Sequence, residues 1–186
     1  MNKSIMKKIF FSTIIAAIAV SFGACEKHNE GEQINTIELT VMDSIGQSKT
    51  YRWKDEDGAG GNNPVVDSVL LDSGKYVASI KFLNIQNGES TDITEEIKSE
   101  GHEHLICYVV NSITMMPLSG LAIEPSDTDK NGVVLGLQST WNSSRPDLAT
   151  IQVTVKHQPK SEVGTKTGDC GVGETDVQVS FPYRIR

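Results

Sequence analysis

The residues best suited to chemistry lie around position 102. Gly101-His102-Glu103-His104 sits where a short helical pattern hands over to a strand pattern. If the strand starts by His102, residues two apart project from one face, so His102 and His104 would offer two imidazoles to one zinc ion. Glu100, Glu96 or Glu103 could add a carboxylate, with Glu103 handicapped because its position points to the opposite face. His28 and His157 could join only if the fold brings them near. The competing reading is a solvated, polar junction with no ligand.

A second oxygen-rich run, Asp127-Thr128-Asp129-Lys130-Asn131-Gly132, matches the opening of a calcium loop, in which Asp127, Asp129 and Asn131 would supply alternating oxygen donors. Its twelfth position is Gln138, where a bidentate Glu is needed, so a full EF-hand is excluded; a truncated calcium site or a plain turn on Asn131-Gly132 remains. Asp55-Glu56-Asp57, followed by Gly58, Gly60 and Gly61, allows the same pair of readings, calcium or a solvated loop tip. Tyr51, Trp53 and Trp141 could form a stacking platform for carbohydrate or haem, although aromatic residues in strands more often fill a core. No nucleophile elbow, HExxH, phosphate loop or Ser/His/Asp signature occurs, and we expect no enzyme.

The elements that must position these residues alternate with a period of two after Gln33. Ile34–Asp43 and Ser48–Trp53 form an expected hairpin about Ile45-Gly46, and further strands are expected at Val65–Leu71, Lys75–Asn84, His104–Val110, Gly120–Glu124, Val133–Trp141, Thr150–His157 and Asp176–Arg184. One short helix interrupts them. Asp92 with Glu95 three residues on reads as a capping box, Ile93 and Ile97 share a face, and Gly101 ends it. The fold class is therefore all-β, an immunoglobulin-like antiparallel β-sandwich with one short helix. Residues 34–186 make a single domain, long enough for one core.

The first 24 residues have a different character. Lys3, Lys7 and Lys8 precede an apolar run from Ile9 to Phe22 that is short for a membrane span, and then come Gly23, Ala24 and Cys25. Phe22-Gly23-Ala24-Cys25 resembles the lipobox of bacterial lipoproteins, which implies removal of residues 1–24, lipidation of Cys25 and a stable anchor from two or three chains. An ordinary cleaved signal is the alternative. Cleavage removes three of the 17 basic side chains and none of the 24 acidic ones, taking the formal charge from −7 to −10, which excludes nucleic acid as a partner. Residues 25–33 hold little to bury and read as a flexible tether. Acidic residues there, Glu26, Glu30 and Glu32, resemble the surface-export signal of Bacteroidota-type lipoproteins. The expected location is the outer membrane, with the face open. With Cys25 lipidated, Cys107 and Cys170 are left as an even pair in an oxidising compartment; a bridge between them, or a buried Cys107 with an exposed Cys170, both fit.

A broader likeness rests on Trp53-Lys54-Asp55-Glu56-Asp57-Gly58, Asp92-Ile93-Thr94-Glu95-Glu96-Ile97, Asp127-Thr128-Asp129-Lys130-Asn131-Gly132 and Gly173-Glu174-Thr175-Asp176-Val177 before Phe181. The chain resembles a family of small Bacteroidota-type lipoproteins often labelled type 1 periplasmic-binding-domain proteins. That label implies two α/β lobes, for which this chain has neither the length nor the βα alternation. The resemblance implies a secreted β-sandwich lipoprotein and brings no established ligand. The resulting expectation is a lipid-anchored binding or accessory module, auxiliary to nutrient or metal uptake with zinc or calcium as candidate cofactors and a TonB-dependent receptor as candidate partner. The alternative is a structural or adhesive surface protein with no small ligand.

Overall fold

The computed structural model describes residues 33–58, 60–112 and 120–186. The signal segment and Cys25 lie outside the described residues. Eleven strands and two short helices follow in order: β1 Thr36–Asp43, β2 Ser48–Lys54, β3 Val65–Val66, β4 Val69–Leu71, β5 Gly74–Gln86, β6 Glu89–Asp92, α1 Thr94–Ser99, β7 His104–Ser112, β8 Leu121–Pro125, β9 Gln138–Ser143, β10 Asp147–His157, α2 Lys160–Val163 and β11 Glu174–Ile185.

They build two sheets. One runs β3-β2-β1-β5-β9-β8, with β6 added to the far half of β5, and the other runs β4-β11-β10-β7. The expected alternation supplies the core. Ile37, Leu39 and Val41 of β1, Ala78, Ile80 and Phe82 of β5, Ile151, Val153 and Val155 of β10, and Val179, Phe181 and Tyr183 of β11 all face inward and are buried together. The β1–β2 hairpin turns where expected: the Asp43 carboxylate accepts the N–H groups of Ile45 and Gln47, and Gly46 takes a positive φ that a side chain would resist.

The all-β sandwich stands, with four departures, the first being β6, an added strand that none of the expected segments covers. The expected strand Val65–Leu71 is split, because Asp67 turns aside to accept the N–H of Arg52. Its first half joins β2, and its second half crosses to the other sheet, where β4 lies parallel to β11. There is a second short helix, α2. Finally, Val133–Leu137 does not continue into β9. Asp127 accepts the N–H groups of Gly136 and Leu137, while Leu135 O and Leu137 O accept Ile106 N–H of β7 and Ile80 N–H of β5. This segment therefore straps one sheet to the other.

The α1 cap also differs from expectation. Ile93 is the N-cap and makes no side-chain cap, while Asp92 accepts the N–H of Thr94. The Thr94 hydroxyl is engaged with the Phe82 backbone of β5 instead, and Ile93 and Ile97 are buried as the spacing required. Since Phe82 pairs with Ile37, α1 closes the end of the sandwich at which β1 begins. The pairings Met42 with Val77 and Gly74 with Ser143 mark the opposite end. β1, eight residues long, separates the two by about 23 Å at a rise of about 3.3 Å per residue.

Candidate functional site

At the α1 end, β7 starts at His104 rather than at His102, and His104 pairs with His157 of β10. That start decides the fate of the two imidazoles. His104 is 2% exposed and stacks on His157, with ring centroids 4.8 Å apart and planes 9° from parallel. Its Nδ1 lies 3.3 Å from Glu100 O and its Nε2 3.9 Å from an Asp176 carboxylate oxygen. His102 remains in the turn, where its Nε2 approaches Glu103 at 3.5 Å, and the other oxygen of Glu103 lies 3.8 Å from His157. The period-two argument therefore fails for His102, which is not yet strand. Glu100 contributes its backbone oxygen, not its exposed carboxylate. Among the described residues no group of three or more His, Cys, Asp or Glu is arranged to hold a metal ion.

Burial pushes His104 down to about 4, and the neighbouring His157 adds to the effect. The imidazole is neutral at pH 7, so its approach to Asp176 is not an ion pair. Burial also raises Asp176 above the ordinary carboxylate value.

In the oxygen-rich run, the carboxylates that a calcium ion would need are already engaged. Asp127 holds the strap described above, and one oxygen of Asp129 accepts the N–H groups of Asn131 and Val133. The other oxygen of Asp129 meets Lys166 Nζ at 3.3 Å, and the same ammonium donates to Gly101 O at 2.8 Å. The side chains of Lys166 and Asp129 are 2% and 1% exposed. Burial opposes the Asp129 charge, but the Val133 and Asn131 N–H groups and the Lys166 ammonium outweigh it and hold the carboxyl below its usual range. The cation at this loop is thus a lysine side chain. Only the backbone N–H of Asn131 takes part; its side chain is exposed beside a small cavity of about 210 Å³ that is also lined by His102, Glu103 and Lys166.

Three features lock the β10–β11 connection. Gln158, wholly buried, donates to Asp169 O and Val172 O and accepts Thr167 N–H. Lys166 reaches Asp129, and Cys107 and Cys170 are joined, with Cα atoms 6.0 Å apart. Lys166 and Gln158 had no sequence signal, since each is one polar residue in a polar loop.

The remaining candidates are structural. Asp55 accepts Gly58 N–H and Asp57 accepts from Asn62, which lowers the Asp57 carboxyl below its ordinary value in a solvated loop. Tyr51 and Trp141 are buried, with Tyr51 OH donating to Leu70 O and Trp141 Nε1 to Ser139 Oγ, and Trp53 packs against the core. They offer no platform.

An open concavity remains that these contacts do not account for. It is a trough of about 540 Å³ on the outer face of the larger sheet, at the end away from α1. Across it run Met42, Val77, Thr140 and Glu124 as successive cross-strand partners on β1, β5, β9 and β8, with Lys75, Asn142 and Ala122 forming the next row. Met42 and Val77 are 40% and 45% exposed and adjoin each other on a face whose nearby positions are mostly polar. The sequence signal was present but faint: both sit in the polar phase of their strands. No family model, curated protein or solved structure matches the chain.

Proposed function

We propose that this protein is a non-catalytic, lipid-anchored binding module of the outer membrane, auxiliary to nutrient uptake, and that its ligand site is the distal trough rather than the histidine corner. The observation that carries this reading is the exposed Met42–Val77 pair at the floor of a 540 Å³ concavity. Solvent-facing apolar side chains paired in the middle of a sheet contribute nothing to the core, and a concave site with a few polar groups is the usual form of a ligand pocket. Its place also suits the role. An anchor at Cys25 would enter by way of Gln33 at the α1 end, leaving the trough about 23 Å further out, one β1 length away.

Hydrogen exchange on the full chain in detergent tests this against a panel of oligosaccharides, short peptides, zinc, calcium and haem. The reading expects one ligand to protect Lys75–Val77 and Gln138–Asn142, with protection lost in Val77→Arg. Protection confined to the His102–His104 turn would move the site back to the corner. Protection nowhere would favour the structural or adhesive role.

A further inference from the structure

We infer that the trough takes a short peptide with free termini, Glu124 receiving its ammonium group and Lys75 its carboxylate; this rests on the trough being the ligand site proposed above. The register places the two charges on opposite flanks. Lys75 pairs with Asn142, which pairs with Ala122, while Val77 pairs with Thr140, which pairs with Glu124. Glu124 is therefore two strands across and two residues along from Lys75. At a strand spacing near 4.8 Å and a rise near 3.4 Å, their Cα atoms are about 12 Å apart.

Both side chains are exposed, and among the described residues neither has an ion-pair partner within 4.0 Å. Asp43 also lines the trough, but its carboxylate is committed to the N–H groups of Ile45 and Gln47, so Lys75 and Glu124 are the two charges left to a ligand, and their opposite signs suit a zwitterion better than a phosphate or a cation. An extended peptide of three or four residues spans about 10–14 Å, which matches the gap. Met42 and Val77 would face an apolar side chain of the peptide, and Thr140 and Asn142, between the charges, supply a hydroxyl and an amide for its peptide groups. Of the two aromatic side chains that line the trough, Trp141 is buried and Tyr76 is half-buried with its hydroxyl held by the Asp72 backbone, which leaves little ring surface for a sugar or haem.

The test is titration of the full chain in detergent with Leu-Ala-Leu, free and in N-acetylated, C-amidated and doubly blocked forms. The free peptide should saturate. Acetylation and Glu124→Gln should each weaken it about fivefold, and together no more than either alone; amidation and Lys75→Met should behave likewise. Val77→Arg should abolish binding. Equal binding of the doubly blocked peptide, or no saturation by roughly 10 mM, overturns the assignment. If another ligand protects the trough while Leu-Ala-Leu does not bind, the peptide assignment falls and the trough stands; if nothing protects the trough, both fall.

Discussion

Asp129 and Lys166 lie 37 residues apart and meet at 3.3 Å with both side chains closed off from water. A carboxylate and an ammonium in such a place stabilise only as a pair, because removing one leaves the other charged and unsolvated. Lys166→Met should therefore cost about 3–5 kcal/mol in urea unfolding, and Asp129→Asn with Lys166→Met should recover a large part of it. Calcium should not raise the melting temperature of the unaltered chain. A calcium shift that maps to Asp127 and Asp129 would mean the ammonium can be displaced.

The stacked histidines make stability depend on pH in a defined window. His104 is held near 4 in the folded protein, against about 6.5 unfolded. Stability is then complete above pH 6.5 and falls as pH drops, because the unfolded chain takes up a proton that the folded one resists. The loss is complete below pH 4 and amounts to about 3 kcal/mol from this group. Asp176 acts in the opposite sense, since a carboxyl raised by burial stabilises the fold when protonated and loses that contribution as pH rises through its folded value. His104→Leu should flatten the decline between pH 6.5 and 4; a slope unchanged by that substitution would place the titration elsewhere.

Gly136 sits in the strap between the sheets at φ +93°, and a Cβ there would lie 2.4 Å from Ile106 O. The Ile106 backbone is itself hydrogen-bonded to Leu135 and cannot yield without opening the strap. Gly136→Ala should lower stability by several kcal/mol, in the upper range for single substitutions. A melt within a degree or two of the unaltered protein would show that the strap carries little.

Reduction of Cys107–Cys170 frees a closed loop spanning 63 residues, worth about 4 kcal/mol in the chain-entropy estimate. Gln158 and Lys166 would still hold the β10–β11 connection. The reduced protein should therefore keep its fold at 25 °C, melt lower, and exchange faster within 160–173. Intact mass before and after thiol capping verifies the bridge.

Cys25→Ser should release the protein from the membrane fraction and abolish fatty-acid labelling. Retention with label would remove the lipobox assignment and, with it, the distal placement of the trough.

Strand positions were legible where one face is buried, because alternation such as Tyr76, Ala78, Ile80, Phe82 has no other economical explanation. β6 was not, since Glu89–Asp92 is exposed throughout and presents no apolar phase. The sheet change at Asp67 turns on one side-chain hydrogen bond to Arg52, which local propensity does not encode. Val133–Leu137 reads as strand from its aliphatic residues, yet Asp127, six or more positions earlier, captures the N–H groups a ladder would need. The site followed the same rule. Residue types at 102–104 and 127–131 were visible, but their partners, His157, Asp176 and Lys166, are supplied by distant strands and loops, and so the carboxylates and imidazoles that suggested metal are engaged with protein groups. The trough needed register: Met42 and Val77 are each unremarkable until the pairing of β1 with β5 sets them side by side.

The place of β1 has a mechanical consequence. The N-terminal segment runs directly into a strand flanked by β2 on one side and β5 on the other, both antiparallel to it along nearly its whole length. A pull from that end acts along the strand axis, across hydrogen bonds that lie perpendicular to it. They are loaded together in shear instead of being peeled one at a time. Drag on anything held at the far end of the molecule would be borne by the whole of β1 at once.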